Sequence, residues 1–459
     1  MPNTIVALAT PTGRSGIGVI RLSGGDALVI MGKLVGDDPY SPEPRFAHLK
    51  QLRDPQTGEV IDEAIVTFFK APHSFTGEDV VEISCHGSPV LLRQVIDICL
   101  RLGARMAEAG EFTLRALANG RMNLAEAEAV RDLIDAQTVA SARQAVRQLR
   151  GEFSNELQPV KDELLDVIVI LESALEFVED DLPVAQEKNI KTRLNDVAAK
   201  IEKIAGTFQA GRLIREGLKV ALVGRPNVGK SSLFNALLGS ERAIVTEIAG
   251  TTRDQLHEKF TIGNIPIALI DTAGLRETTD TVESIGVQRS RRTMADADLV
   301  IVILDASEEL TFEDRKILKS VADLNHIVAV NKIDLLSAEC GVQSAELVTP
   351  EFRIPHSALR ISARTGEGLE ELQQAIVQPF TPEDASTAGF LVTDARHHDL
   401  LLRAGSEIRH SLELLDQKTS EEITLIGLHN ALRYLGQITG ETTTEDMLTR
   451  IFSTFCIGK

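Results

Sequence analysis

The sequence predicts a multidomain protein that combines α/β parts with an all-α part, and three observations support this fold class. The chain has 459 residues, which is enough for about three domains of ~150 residues each. Short apolar, β-branched runs alternate with helical segments in residues 1–119 and again in 217–378. In 120–216 and 379–459, apolar residues recur mainly at the three- and four-residue spacing of amphipathic helices. We therefore expect domain boundaries near 119/120, 216/217 and 378/379.

Composition and charge exclude several classes of protein. Asp plus Glu (67) outnumber Lys plus Arg (48), and the net charge of −19 argues against a protein that coats nucleic acid with its whole surface. The four cysteines include no CxxC pair and indicate reduced thiols. No leader peptide is recognisable, and no apolar run approaches the roughly 18 residues that span a bilayer. We therefore expect a cytoplasmic protein without a membrane partner.

The segments on either side of residue 119 differ in their predicted secondary structure. Residues 17–22, 63–69 and 80–84 are β-rich and 91–102 is helical, which predicts a compact α/β or α+β domain over 1–119. Glycine and proline are rare in 120–216, as expected for a helical bundle. Because helical sequence resumes after residue 379, we expect 217–378 to be inserted into a bundle whose two parts rejoin.

The inserted segment has the pattern of a mostly parallel sheet. Apolar runs at 218–223, 265–270, 299–304, 327–330 and 359–361 are separated by amphipathic segments such as 315–324 and 368–377. Continuous apolar strands are typical of parallel sheets that are covered by helices on both faces.

A phosphate-binding loop follows the first of these strands. The sequence GRPNVGKSS (224–232) matches the pattern GxxxxGK[ST] between a predicted strand and a predicted helix. In such loops, backbone N–H groups and the helix N-terminus attract phosphate, the lysine reaches the outer phosphates and the hydroxyl can bind Mg²⁺. The candidate contacts are Asn227, Val228, Gly229, Lys230, Ser231 and Ser232.

Three further motifs indicate guanine rather than adenine. DTAG (271–274), NKID (331–334) and SAR (362–364) each follow a predicted strand, in that order. The carboxylate of Asp334 can accept hydrogen bonds from N1–H and the 2-amino group of guanine, which adenine lacks at those positions. The predicted contacts are Asp271, Thr272, Ala273, Gly274, Asn331, Lys332, Asp334, Ser362, Ala363 and Arg364.

The hydrolytic machinery differs from that of Ras-like GTPases. Those enzymes follow DTAG with a glutamine that orients water, whereas Leu275 stands here. Nearby Arg276 and Glu283 are the candidate catalytic residues, and Asn227 is a candidate ligand for a monovalent cation. A threonine in the loop 246–254 can complete the coordination of Mg²⁺ in the GTP state.

Several separated motifs resemble the MnmE (TrmE) family of tRNA-modification GTPases along nearly the whole chain. They are TIVA (4–7), ATP (9–11), GIGVIRLSG (16–24), SFTGED (74–79), GEFT (110–113), GTTRD (250–254) and FCIGK (455–459). The resemblance implies a homodimer with an N-terminal dimerisation and folate-binding domain, a helical domain and an inserted P-loop GTPase domain. Such proteins act on tRNA together with a flavin-dependent MnmG-type partner, which carries the FAD. The complex installs an aminomethyl or carboxymethylaminomethyl group at C5 of the wobble uridine.

The resemblance also implies particular residues and cofactors. Potassium would bind between paired GTPase domains, magnesium would bind the nucleotide, and a reduced folate such as 5-formyl- or 5,10-methylene-tetrahydrofolate would supply one carbon. The implied potassium ligands are Asn227, Thr246, Ile248 and Thr251. The implied magnesium ligands are Ser231 and Thr252, and Glu283 would position the water. The loop 246–254 would contact GTP through Thr246, Glu247, Ile248, Ala249, Gly250, Thr251 and Thr252. The implied folate contacts are Arg21, Glu82, Arg121 and Lys459, with arginine at 121 where some members have lysine.

Three questions stay open at this point. One alternative is a GTP-dependent regulatory switch or ribosome-assembly factor without folate chemistry. Cys456 is either a catalytic thiol or a packed structural residue. An acidic chain must contact tRNA through local patches or through a partner protein.

Overall fold

The computed structural model describes residues 3–176, 184–240, 257–262, 265–271, 297–336, 358–378, 389–418, 421–441, 448, 451–453, 455 and 458. The chain forms two compact units. The first comprises Met1–Asp135, Ala145–Glu202 and Asp399–Lys459, and the second comprises Ala136–Gln144 and Lys203–His398. The domain boundaries expected from the sequence stay predictions.

The first unit contains a six-stranded sheet in the order β3-β4-β5-β2-β1-β6. All pairings are antiparallel except that of β1 with β6. The strands are β1 Ile5–Leu8, β2 Ser15–Ser23, β3 Ala47–Arg53, β4 Val60–Phe69, β5 Val80–Gly87 and β6 Arg105–Met106, and the helices are α1 Ala27–Val35, α2 Pro89–Arg101 and α3 Glu111–Ala118. The strands predicted at 17–22, 63–69 and 80–84 are thereby confirmed.

Side-chain alternation divides this sheet into an apolar and a more polar face. Ile20, Leu22, Val81 and Ile83 are buried in the core cluster on one face. Because successive strand residues point to opposite faces, Arg21 and Glu82 lie on the other face. The antiparallel register of β2 and β5 makes Arg21 and Glu82 direct cross-strand partners.

Long helices follow the N-terminal sheet and return after the second sheet, as the sequence predicts. They are α4 Leu124–Asp135, α5 Val139–Leu149, α6 Glu152–Glu176, α7 Val184–Gly206, α8 Phe208–Glu216, α12 Ala395–Asp416 and α13 Glu421–Thr439. Helices α6 and α13 pack together, with Lys161 bound to Glu441 and Glu172 bound to His429. Among the described residues, no helix has the length and apolar character needed to cross a bilayer.

The second unit contains a sheet in the order β12-β11-β10-β7-β9-β8, parallel except for the pairing of β8 with β9. Its strands are β7 Leu218–Val223, β8 His257–Ile262, β9 Ile265–Asp271, β10 Leu299–Asp305, β11 His326–Asn331 and β12 Leu359–Arg360, and its helices are α9 Lys230–Ser240, α10 Phe312–Ser320 and α11 Leu369–Val377. Two apolar clusters use alternate residues of the same strands, so both faces of the sheet are covered.

Helix α10 begins earlier than the segment 315–324 that periodicity predicts. The Thr311 side chain accepts a hydrogen bond from the Asp314 backbone, and the Asp314 side chain accepts one from the Thr311 backbone. This capping box satisfies backbone N–H groups that otherwise lack a helical partner and starts the helix at Phe312.

Candidate functional site

The phosphate loop connects β7 to α9, and Lys230 is the first residue of the helix. At two positions of this loop, neighbouring strands lie so close that only glycine fits. A Cβ on Gly224 would lie 2.6 Å from the Ile303 carbonyl oxygen, and one on Gly229, where φ is +95°, would lie 2.3 Å from Asn331 Nδ2. The absence of a Cβ at these two positions therefore lets the loop lie close to the neighbouring strands β10 and β11.

Lys230 lies across the phosphate loop. Its Nζ donates hydrogen bonds to the carbonyl oxygens of Gly224 at 2.8 Å and Arg225 at 2.7 Å. Ser231 and Ser232 are exposed in the first turn of α9. The ammonium group, the helix N-terminus and a hydroxyl thus meet at one end of the sheet, as phosphate and Mg²⁺ require.

Asn331 joins three loops. Its side chain is buried, Nδ2 donates to the Val228 carbonyl oxygen at 2.9 Å, and Oδ1 accepts from Ala363 N at 2.9 Å. Motifs that are far apart in the sequence are therefore adjacent at the carboxyl ends of parallel strands, where ligands bind in such folds.

Asp334 is oriented by the serine of the third motif. The hydroxyl of the fully buried Ser362 donates to Asp334 Oδ1 at 2.7 Å and accepts a hydrogen bond from Thr365 N at 3.2 Å. Arg364 is exposed on the same loop. The Asp334 carboxylate is thereby held in place by the third motif.

The structure adds contacts that sequence reasoning missed. Arg225 Nη2 lies 2.6 Å from Glu308 Oε2, and Arg225 Nε lies 3.3 Å from Oδ2 of the buried Asp314. The phosphate loop is thereby tied to the N-terminus of α10. The Thr311–Asp314 capping-box pattern is the sequence signal that could have located this anchor.

Asp271 is the last residue of β9. Its backbone is registered with Leu222 of β7, which brings it to the phosphate-loop end of the sheet.

Several predicted site residues lie outside the described residues. The predicted contacts outside the described part of the chain are Thr246, Glu247, Ile248, Ala249, Gly250, Thr251, Thr252, Thr272, Ala273, Gly274, Arg276, Glu283 and Lys459, and Leu275 and Cys456 also lie there.

A second candidate site is centred on Arg21. Arg21 Nε and Nη2 bind Glu82 Oε1 at 2.9 and 2.6 Å, and Nη1 donates to the Gly458 carbonyl oxygen at 3.4 Å. The guanidinium carbon lies 5.8 Å from the Phe75 ring centroid and 5.7 Å from the Phe112 ring centroid. The structure thus brings together a cation, a carboxylate, two aromatic rings and the residue that precedes Lys459.

The loop 74–79 connects Arg121 to this second site. A Cβ on Gly77, where φ is +79°, would lie 3.2 Å from Arg121 Cγ, so glycine lets Arg121 pack against the loop. The preceding Thr76 binds the Ser23 hydroxyl at 2.8 Å through its own hydroxyl and accepts from Asn119 Nδ2 at 2.7 Å through its carbonyl oxygen. The loop that carries Phe75 is therefore held in place by these hydrogen bonds, and Arg121 packs against it.

Comparison with known proteins finds two matching family models and relatives that align over the full length of the chain. A family model described as "GTP-binding protein TrmE N-terminus" matches residues 4–121, and one described as "MnmE helical domain" matches 124–456. The tRNA modification GTPase MnmE of Koribacter versatilis (strain Ellin345) is 45% identical, with 100% of both chains covered. That of Aquifex aeolicus (strain VF5) is 43% identical, also over 100% of both chains. The solved G domain of the T. maritima FeoB iron transporter is 33% identical, covering 35% of this chain and 97% of that chain, with a TM-score of 0.26.

Proposed function

Because this chain belongs to the MnmE family of tRNA modification GTPases and is a GTP hydrolase, we propose that its hydrolysis cycle serves the modification of C5 of the wobble uridine. The product group is aminomethyl or carboxymethylaminomethyl. The observation that carries the nucleotide assignment is the Asn331 side chain. It joins the phosphate loop to the loops of residues 331–334 and 362–364, which we call the base loops. Family membership favours this function over a switch or ribosome-assembly factor without folate chemistry.

In the proposed nucleotide complex, each loop has one task. Lys230 and the backbone N–H groups of the phosphate loop bind the phosphates, and Asp334 accepts hydrogen bonds from N1–H and the 2-amino group of guanine. Ser231 and Thr252 would hold Mg²⁺, which would supply positive charge against the phosphates during hydrolysis. The exposed hydroxyl of Ser231 at the start of α9 supports this assignment.

We further propose that potassium activates hydrolysis by pairing the GTPase domains of a homodimer. Asn227 supports this proposal because it is exposed in the phosphate loop and has a left-handed backbone with φ of +63°. Its side-chain oxygen, with Thr246, Ile248 and Thr251, would form an oxygen cage suited to a hard cation. Glu283 orients the attacking water and Arg276 assists from the same segment.

The N-terminal site is proposed to bind a reduced folate. Glu82 can accept hydrogen bonds from the pterin edge, while Arg21, Arg121 and Lys459 offer cations to the anionic tail. The pairing of Arg21 with Glu82 and the two phenylalanine rings near the Arg21 guanidinium support this role. 5-Formyl- or 5,10-methylene-tetrahydrofolate supplies one carbon, a flavin-dependent MnmG-type partner carries the FAD, and tRNA is the substrate.

We expect Arg21→Ala to weaken binding of 5-formyltetrahydrofolate by about 30-fold, because it removes a charged hydrogen-bond donor from a half-buried site. Calorimetric titration of the full chain with this folate measures the effect. Arg53→Ala removes another half-buried arginine, from β3 of the same sheet, and serves as the matched control, with unchanged affinity. Equal affinities for wild type and both variants would remove Arg21 from the folate site.

A further inference from the structure

A buried carboxylate, Asp305, lies at the end of β10 between the strands that carry the phosphate loop and the base loop. Strand β10 is flanked by β7 and β11, and Asp305 is registered with Asn331 of β11. Its side chain is only 3% exposed. No motif in the sequence analysis includes Asp305, and the nucleotide contacts proposed above do not use it.

The Asp305 carboxylate is fully engaged by its neighbours. Oδ2 accepts a hydrogen bond from Lys332 Nζ at 2.6 Å, and Oδ1 accepts from the backbone N–H and the hydroxyl of Ser307 at 3.0 and 2.6 Å. Burial by itself would raise the pKa of Asp305, but the hydrogen bonds from Lys332 and Ser307 outweigh it and lower the pKa below its usual range. The carboxylate is therefore ionised at neutral pH.

This contact fixes the far end of the Lys332 side chain. A lysine side chain is a flexible apolar stem with a charged end, so an unpartnered lysine samples many rotamers. Here the backbone of Lys332 is held in the left-handed region, with φ of +67°, between the anchored residues Asn331 and Asp334. With both ends held, the stem has a defined position beside the two residues that frame the base site.

We propose that Asp305 is a positioning residue for the guanine nucleotide, which holds the Lys332 ammonium so that the aliphatic stem forms an apolar wall against the base. This inference rests on the proposed assignment of residues 331–334 to the base site. An apolar wall contacts the purine face and is insensitive to the exocyclic groups, which Asp334 recognises. Asp305 therefore sets nucleotide affinity without setting the choice of base.

The test uses Asp305→Asn in the full chain. Asparagine keeps the shape and an oxygen for Ser307 but removes the charge that holds Lys332. We expect the dissociation constants of GDP and of IDP, which lacks the 2-amino group, both to rise about tenfold, as for a lost charge-assisted contact. The ratio of the two constants stays unchanged, and KM for GTP rises while kcat stays within about twofold. Glu313→Gln, an equal charge change on the exposed side of α10, leaves all values unchanged.

Two results for Asp305→Asn would overturn the proposal. Wild-type affinity would show that Lys332 needs no anchor, and a changed GDP-to-IDP ratio with a fall in kcat would show that Asp305 only maintains the fold of the loop. Asp334→Asn separates these failures from failure of the base site. If Asp334→Asn abolishes the preference for GDP while Asp305→Asn binds normally, only the positioning role is wrong. If Asp334→Asn leaves the preference intact, the base-site assignment itself is wrong.

Discussion

Asp334→Asn is expected to exchange the preferred nucleotide, with a loss of about 1,000-fold in GTP affinity and a gain in affinity for xanthosine triphosphate. In the proposed complex, the half-buried carboxylate of Asp334 accepts two hydrogen bonds from guanine. A site built around such a polar group rejects, by large factors, a base that leaves the group unpaired. Xanthine carries a carbonyl where guanine carries the 2-amino group, so the asparagine amide can donate to it. Competition binding with both nucleotides measures the exchange.

The structure makes this substitution conservative for the fold. Asparagine retains an oxygen that can accept the Ser362 hydroxyl, which lies 2.7 Å from Asp334 Oδ1. Asp323→Asn, an exposed position in the same domain, is the matched control and should bind GTP normally. If Asp334→Asn loses affinity for both nucleotides equally, the carboxylate maintains the loop and does not read the base.

Glu283→Ala is expected to slow GTP hydrolysis by about 100- to 1,000-fold while GTP affinity changes by less than about threefold. A group that orients or deprotonates the attacking water acts in the transition state and contributes little to ground-state binding. Leu275 stands where a Ras-like enzyme has its glutamine, so another residue must do this work. Single-turnover hydrolysis and nucleotide titration separate the two effects.

The control for this experiment lies in the same segment. Glu277→Ala removes an equal charge close to Glu283 in sequence and should hydrolyse GTP at a rate near that of the wild type. A parallel fall in hydrolysis and binding for Glu283→Ala would exclude Glu283 from positioning the water.

Local sequence patterns predicted which loops lie together, because in parallel sheets the loops that follow the strands lie at one edge. Strands β7, β10 and β11 appear in the sequence as continuous apolar runs, since both faces of the sheet are covered. Motifs that follow such strands must meet at one edge, and the hydrogen bonds of Asn331 to Val228 and Ala363 confirm that these loops are adjacent.

Contacts that depend on register and side-chain packing could not be predicted in the same way. Asp305 contacts Lys332 because the register of β10 and β11 pairs Asp305 with Asn331, the residue before Lys332. No spacing in the sequence encodes that register. The aromatic rings of Phe75 and Phe112 come from a loop and a helix that approach Arg21 only in the folded domain. Only the family resemblance pointed to Arg21 and Glu82, whose pairing follows from the register of β2 and β5.

The first measurement should be GTP hydrolysis by the full chain in potassium and in sodium buffer at matched ionic strength, with the oligomeric state recorded in parallel. The proposed mechanism predicts strong stimulation by potassium, accompanied by association of the GTPase domains, and loss of that stimulation in Asn227→Ala. Equal rates in both salts would contradict potassium-dependent activation and would show that Asn227 holds no activating ion.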